Sequence, residues 1–203
     1  MPDMAVRNKA GTTLEAALVE MLGRRSIVLV GMMGAGKSSI GRKLATRLAL
    51  NFVDADAEIE LAAGMSIPEI FEIRGEDEFR TGEARVIARL LEGGPQVMAT
   101  GGGAFMNADT RALIATKGMS VWLQADFDVL MKRIKRRSDR PLLKTADPAA
   151  TLLKLMDERY PVYAGADVTI ESRDVLHDVI VEEIIAGLRG FLSNSTVEGA
   201  SPT

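Results

Sequence analysis

The segment Gly31-Met32-Met33-Gly34-Ala35-Gly36-Lys37-Ser38 constrains this chain more than any other. It satisfies G-x-x-x-x-G-K-[ST] and begins at the glycine that closes Ser26 to Gly31, a β-branched and leucine run of the kind that forms a strand buried on both faces. A helical stretch from Lys37 to Leu50 comes directly after it. Glycines let such a loop curl until its N–H groups converge on phosphate oxygens, and the outgoing helix presents its positive end to the same anion. Lys37 can bridge the β- and γ-phosphates, and the Ser38 hydroxyl can ligate Mg²⁺. The loop therefore predicts a nucleotide, but not what is done with it.

Strand and helix signals alternate through the rest of the chain. Short apolar runs occur at Phe52-Val53, Gln96 to Thr100, Ser120 to Ala125 and Val168 to Glu171, with helical patterns between them. The pattern from Ala57 to Leu91 is interrupted near Gly64 and Gly75, and Pro68 suits the first turn of a helix after Ser66. Leu176, Ile180, Ile184 and Leu188 form an apolar stripe on the last helix. Parallel strands joined by right-handed crossovers follow, making one three-layer α/β domain. Leu14, Ala17, Leu18, Met21 and Leu22 predict a short amphipathic helix ahead of it, either packed on the domain or at a dimer contact.

The chain has 203 residues, of which 47% are hydrophobic, and a net charge of −3. That supports one sizeable core and gives no basic field for nucleic acid. Without cysteine there is no disulfide, thiolate zinc site or thiol nucleophile. No apolar run has the length of a membrane span, and the polar N-terminus does not resemble a secretory signal, so a cytoplasmic location is expected.

The acceptor must be read from other residues. A guanine-reading Asn-Lys-x-Asp is absent, and the strand ending at Thr100 runs into Gly101-Gly102-Gly103 rather than an acidic residue. Asp54 and Asp56 follow a strand, and continued alternation would turn both carboxylates to one side. One could hold Mg²⁺ through water, and the other could accept a hydrogen bond from an attacking hydroxyl. Helix capping is the competing duty. Both aspartates and the three glycines fall at the C-terminal edge of the sheet, where open α/β sheets bind ligands. Arg80, Arg133, Arg140 and Arg159 are the candidate anion-binding arginines, whereas Lys132, Lys135 and Arg136 read as a solvated face. Pro141 ends any helix at Arg140, which opens a loop of lid length.

The combination GMMGAGKSSIGRKLA, FVDADAEIE, SIPEIFEIRGEDEFRTGEARVI, ATGGGAF, DRPLL and ERYPVYAGAD resembles the shikimate kinase family over Ser26 to Leu192. The resemblance implies a nucleoside-monophosphate-kinase-like fold with a five-stranded parallel sheet in the order 2-3-1-4-5. It also implies transfer of phosphate from ATP to the 3-hydroxyl of shikimate, a step towards chorismate and the aromatic amino acids. Carried over, Gly34, Ala35, Gly36, Lys37, Ser38 and Ser39 hold the triphosphate, and Ser38 and Asp54 serve one Mg²⁺. Asp56 holds and orients the ring hydroxyls. Arg80 and Arg159 bind the substrate carboxylate, and Gly102 meets the substrate with its backbone. Arg140 is the lid arginine on ATP phosphate, so Lys37, Asp56 and Arg140 form the catalytic set. Arg133 contacts the base and Arg173 is a second candidate there, with Val175 where some members carry proline. Phe71 and Phe79 resemble the apolar wall beside the ring. Tyr160, Tyr163, Trp122 and His177 read as structural, with His177 away from every motif.

This reading divides the chain into an N-terminal extension (1–25), the kinase domain (26–192, with a lid at about 138–147) and a disordered tail (193–203). Its partners are shikimate and ATP, without nucleic acid or membrane. A monomer is expected and a homo-oligomer stays open. A related small-molecule kinase, such as gluconate kinase, and a nucleotide-binding module without turnover are the alternatives.

Overall fold

The central strands are continuous apolar runs, and the chain buries them on both faces. The computed structural model describes residues 13–136 and 145–198, with side chains through Asn194. Its elements are α1 (Leu14–Leu22), β1 (Ser26–Val30), α2 (Lys37–Leu48), β2 (Asn51–Asp54), α3 (Ala55–Ala63), α4 (Ile67–Glu92), β3 (Gln96–Ala99), α5 (Ala108–Lys117), β4 (Gly118–Gln124), α6 (Phe127–Lys135), α7 (Pro148–Tyr163), β5 (Val168–Glu171) and α8 (His177–Glu198). The sheet is parallel throughout, in the order β2-β3-β1-β4-β5. Every residue of β1 is buried, while the edge strand β5 alternates Val168 and Ile170 inward with Thr169 and Glu171 outward.

Strand order dictates where ligands can sit. The chain moves from β1 to β2 in one direction across the sheet and steps in the other direction thereafter. Right-handed crossovers then put α2 on one face and α4, α5 and α6–α7 on the other. The loops after β1 and β3 diverge at this reversal and leave a crevice beyond the strand ends. The phosphate loop and Thr100–Gly103 both open onto it.

Local signals account for most boundaries. Ser66 and Glu69 form a reciprocal capping box at the start of α4, with Pro68 in its first turn. Gly64 ends α3 in the left-handed region. Gly75, at φ 82° and ψ 173°, breaks the helical geometry inside α4 where the sequence marks an interruption. The N-terminal helix α1 buries Leu18 and Leu22, and its Glu15 pairs with Arg47 of α2 at 2.8 Å. Arg47 also reaches Glu182 of α8.

Two features of the last helix differ from the sequence reading. Leu176 lies before α8 and is exposed, so the buried stripe runs through Ile180, Ile184, Leu188 and Leu192. The helix also continues to Glu198, past the boundary set at 192, because Ser193 to Glu198 contains no proline or glycine to stop it. Among the described residues no helix is long and apolar enough to cross a membrane.

Candidate active site

The phosphate loop leaves β1 at Gly31 and enters α2 through Gly36, which sits at φ 95° where other residues are strained. Lys37 opens α2, and its ammonium donates to the carbonyls of Gly31 (2.7 Å) and Met32 (2.9 Å), which holds it across the loop. The Ser38 hydroxyl donates to Asp54 Oδ2 at 2.7 Å. Arg133 on α6 clasps the loop from the far side, donating to Gly34 O (3.3 Å), Ser172 Oγ (2.8 Å) and Arg173 O (2.7 Å). Burial pulls the Arg133 guanidinium below its ordinary pKa.

The Asp-Ala-Asp segment does not stay extended. The strand ends at Asp54 and α3 begins at Ala55, so strand alternation does not set the two carboxylates. Asp54 is the N-cap of α3: its Oδ1 accepts from Asp56 N at 3.2 Å while its Oδ2 takes the Ser38 hydroxyl. Asp56 occupies the first turn of α3 and still reaches the same cleft. The cap and the partner of the Ser38 hydroxyl are thus one residue, Asp54.

The loop after β3 is walled by charge. A Cβ on Gly101 would lie 2.8 Å from Asp56 Oδ1 and 2.9 Å from Glu83 Oε1, and one on Gly102 would lie 3.1 Å from Arg159 Nη1. A Cβ on Gly103 would lie 2.6 Å from Arg80 Cζ. Three glycines in succession therefore let Asp56, Glu83, Arg159 and Arg80 crowd one turn of backbone. Arg80 donates to Glu83 Oε2 at 2.8 Å, with Glu76 on its outer side at 3.1 Å. Phe71 and Phe79 stand next to each other with ring centroids 4.6 Å apart.

Glu83 was not singled out by the sequence. It is buried, and its Oε1 has no hydrogen-bond partner among the described residues. Burial pushes its carboxyl above the usual glutamate pKa, against the pull of Arg80 and with a further push from Asp56. Its position three residues after Arg80 on one helix was the available signal.

One cleft of about 430 Å³ runs along the phosphate loop. It is lined by loop residues Gly34, Gly36, Lys37, Ser38 and Ser39, by Asp54, Asp56, Thr100 and Gly102, and at its other end by Arg133, Arg136, Asp174, Val175 and His177. His177 therefore lies on the cleft rather than away from every motif, because α8 starts beside the loop helix, where its neighbour Asp178 pairs with Lys43. Arg136 also faces the cleft rather than only solvent. Arg173 turns away to pair with Glu183 on α8, so Val175 and His177 line the end where Arg173 was expected. Ala35 is buried beneath the loop, its carbonyl accepting from Ser172. Arg140 and most of the lid segment lie outside the described residues; Asp147, the last lid position, caps α7.

A parallel sheet in this order, with a phosphate loop at the strand reversal and acids and arginines gathered on the adjoining glycine turn, defines a P-loop kinase acting on a small anionic acceptor. A family model described as shikimate kinase matches residues 33–189. The shikimate kinase of Bradyrhizobium diazoefficiens is 67% identical over 178 residues, covering 88% of this chain and 86% of its own length. That of Rhodopseudomonas palustris is 61% identical, covering 88% of each. The solved shikimate kinase of Acinetobacter baumannii in complex with shikimate is 39% identical at a TM-score of 0.78, covering 84% of this chain and 94% of that one. A gluconokinase from Sinorhizobium meliloti shares the fold at 22% identity and a TM-score of 0.61. The chain belongs to the shikimate kinase family.

Proposed function

We propose that the chain transfers the γ-phosphoryl group of ATP to the 3-hydroxyl of shikimate, releasing ADP and shikimate 3-phosphate on the route to chorismate. The observation that carries this reading is the convergence of Asp56, Arg80 and Arg159 on Gly101–Gly103 beside the phosphate loop. Shikimate offers one carboxylate and three hydroxyls. Two arginines suit a carboxylate through paired N–H donors, and an aspartate in the same chamber suits a hydroxyl.

In this reading Gly34, Ala35, Gly36, Lys37, Ser38 and Ser39 cradle the triphosphate, with the α2 N-terminus adding positive potential. Arg80 and Arg159 clamp the acceptor carboxylate, Gly102 admits the ring close to backbone, and Asp56 orients the attacking hydroxyl. The hydroxyl proton leaves towards Asp56 as the new P–O bond forms and the bond to ADP breaks. Because phosphoryl transfer passes through a loose transition state, orientation and charge neutralisation dominate. Glu83 holds Arg80 in place through its carboxylate. Arg133 braces the loop near the base, and Arg140 is assigned to transferred charge on sequence grounds alone.

Ser38 and Asp54 offer hard oxygen donors, linked at 2.7 Å, at the mouth of the phosphate loop, which suits Mg²⁺. Bound there, the ion would neutralise charge on the β- and γ-phosphates. The protein is further read as cytoplasmic and without nucleic-acid or membrane partners, with a monomer favoured and a homo-oligomer left open; its net charge of −3 supports the absence of a nucleic-acid partner. The test is ADP release with shikimate, gluconate and nucleoside monophosphates offered separately. Turnover confined to shikimate is expected, and equal or better turnover of gluconate would overturn the assignment.

A further inference from the structure

Two residues on the last turns of α7 touch the same glycine. Arg159 and Tyr163 stand four apart, on one face of the helix. The Arg159 guanidinium packs directly on Gly102, where a Cβ would lie 3.1 Å from Nη1. The Tyr163 hydroxyl donates to the Gly102 carbonyl. Burial pushes the Tyr163 phenol above its ordinary pKa, against the pull of the nearby Arg159 cation. Tyr163 is fully buried, with Phe105, Trp122 and Tyr160 packed around its ring. A phenylalanine would fill that aromatic site equally well, so the hydroxyl is there for its bonds.

We propose that Tyr163 is a positioning residue for the acceptor: the bond from its hydroxyl to the Gly102 carbonyl fixes the glycine turn on which Arg159 packs, and so keeps the carboxylate clamp and that turn in one register. This rests on the reading of Arg159 as half of that clamp. The phenol commits its one O–H donor to that carbonyl. Peptide planarity extends its reach. With the Gly102 carbonyl held on Tyr163, the Gly103 N–H of the same peptide must face the opposite way. Gly103 is the residue that Arg80 packs against. One hydroxyl therefore ties together the backbone turn on which both clamp arginines rest.

Tyr160 supplies a matched comparison. It belongs to the same aromatic cluster, and its hydroxyl also donates to a backbone carbonyl, that of Ala125. Tyr163→Phe and Tyr160→Phe each delete one such bond and leave the ring. Tyr163→Phe should raise the shikimate KM about three- to tenfold, the loss of roughly one net hydrogen bond, with the ATP KM held within about twofold. Tyr160→Phe should leave the shikimate KM unchanged. In an Arg159→Ala background the Tyr163→Phe change should add less than about twofold, because the turn then has no Arg159 left to position. A folded Tyr163→Phe enzyme with wild-type shikimate KM would overturn the inference alone. So would a parallel rise in both substrate KM values, an equal effect of Tyr160→Phe, or full additivity with Arg159→Ala. Absence of wild-type shikimate turnover would overturn the functional reading as well.

Discussion

Gly103→Ala isolates the acceptor clamp from the rest of the fold. Gly103 sits at φ −96° and ψ −16°, a conformation alanine adopts without strain. The added methyl would nevertheless lie 2.6 Å from Arg80 Cζ and 2.7 Å from its Nη2. Carbon contacts settle at about 3.5–4.0 Å, so the guanidinium must retreat by about 1 Å. It can do so at modest cost, because it ends a flexible side chain that is 30% exposed and keeps Glu76 as an outer partner. A stability loss of about 1 kcal/mol is expected from the weakened bond to Glu83. Function should suffer more. Weakening one arm of a desolvated charge pair forfeits part of about 2–5 kcal/mol, and each 1.4 kcal/mol is about tenfold. The shikimate KM should rise at least about tenfold while the ATP KM moves less than about twofold. Gly82→Ala on the same helix is the control: a Cβ there meets nothing within 4 Å, so it should stabilise by about 0.5–1 kcal/mol and leave both KM values alone. Coupled ADP release at varied shikimate and ATP, with thermal unfolding of each variant, makes the comparison. A folded Gly103→Ala enzyme with wild-type shikimate KM would refute the placement of Arg80 at the acceptor.

Further expectations concern the triphosphate, the two aspartates and pH. Lys37→Ala should abolish ADP release while the far-UV spectrum stays native; activity within a few-fold of wild type would sink the phosphate-loop role. Asp56→Asn should lower kcat steeply and spare the melting temperature, since Asp54 and not Asp56 caps α3. Asp54→Asn should instead raise the Mg²⁺ concentration for half-maximal rate, with a cap loss of up to about 1 kcal/mol; kinetics over a Mg²⁺ series separates the pair. Glu83 gives the pH test. Its folded pKa lies above the ordinary 4.5, so the native state holds the proton longer than the unfolded chain. Stability attributable to Glu83 should therefore fall as pH rises from about 4.5 through its folded pKa. Melting temperatures of wild type minus Glu83→Gln should slope downward across that window, and an upward slope would contradict the burial argument.

The elements were legible because each depends on a short stretch of chain. The β1 run, the capping signals at Ser66 and Glu69 and the glycines at 64 and 75 act over a few residues, and the structure realises them there. Asp54 and Asp56 were recognised, but the route to the cleft was misjudged. Strand periodicity was carried past Asp54, whereas a carboxylate that can accept its own second neighbour's N–H starts a helix at once. His177 lines the cleft whereas Arg173 pairs with Glu183, because sequence distance from motifs says nothing about which way the first turn of α8 faces.

The sequence by itself determined the phosphate loop, the parallel α/β class and the acidic and basic side chains proposed to meet the acceptor. These follow from contiguous residues, whose backbone conformation and burial are set by near neighbours. Only the tertiary structure decided that Gly101, Gly102 and Gly103 are occupied respectively by Asp56 with Glu83, by Arg159 and by Arg80. It also decided that Tyr163 reaches Gly102 across 61 positions and that Arg133 grips a loop 99 positions away. Such contacts need the strand order β2-β3-β1-β4-β5, which brings the ends of β1 and β3 together and packs α6 and α7 over them. A hydrogen bond acts over about 3 Å, so its partners exist only once the sheet has fixed where distant segments end.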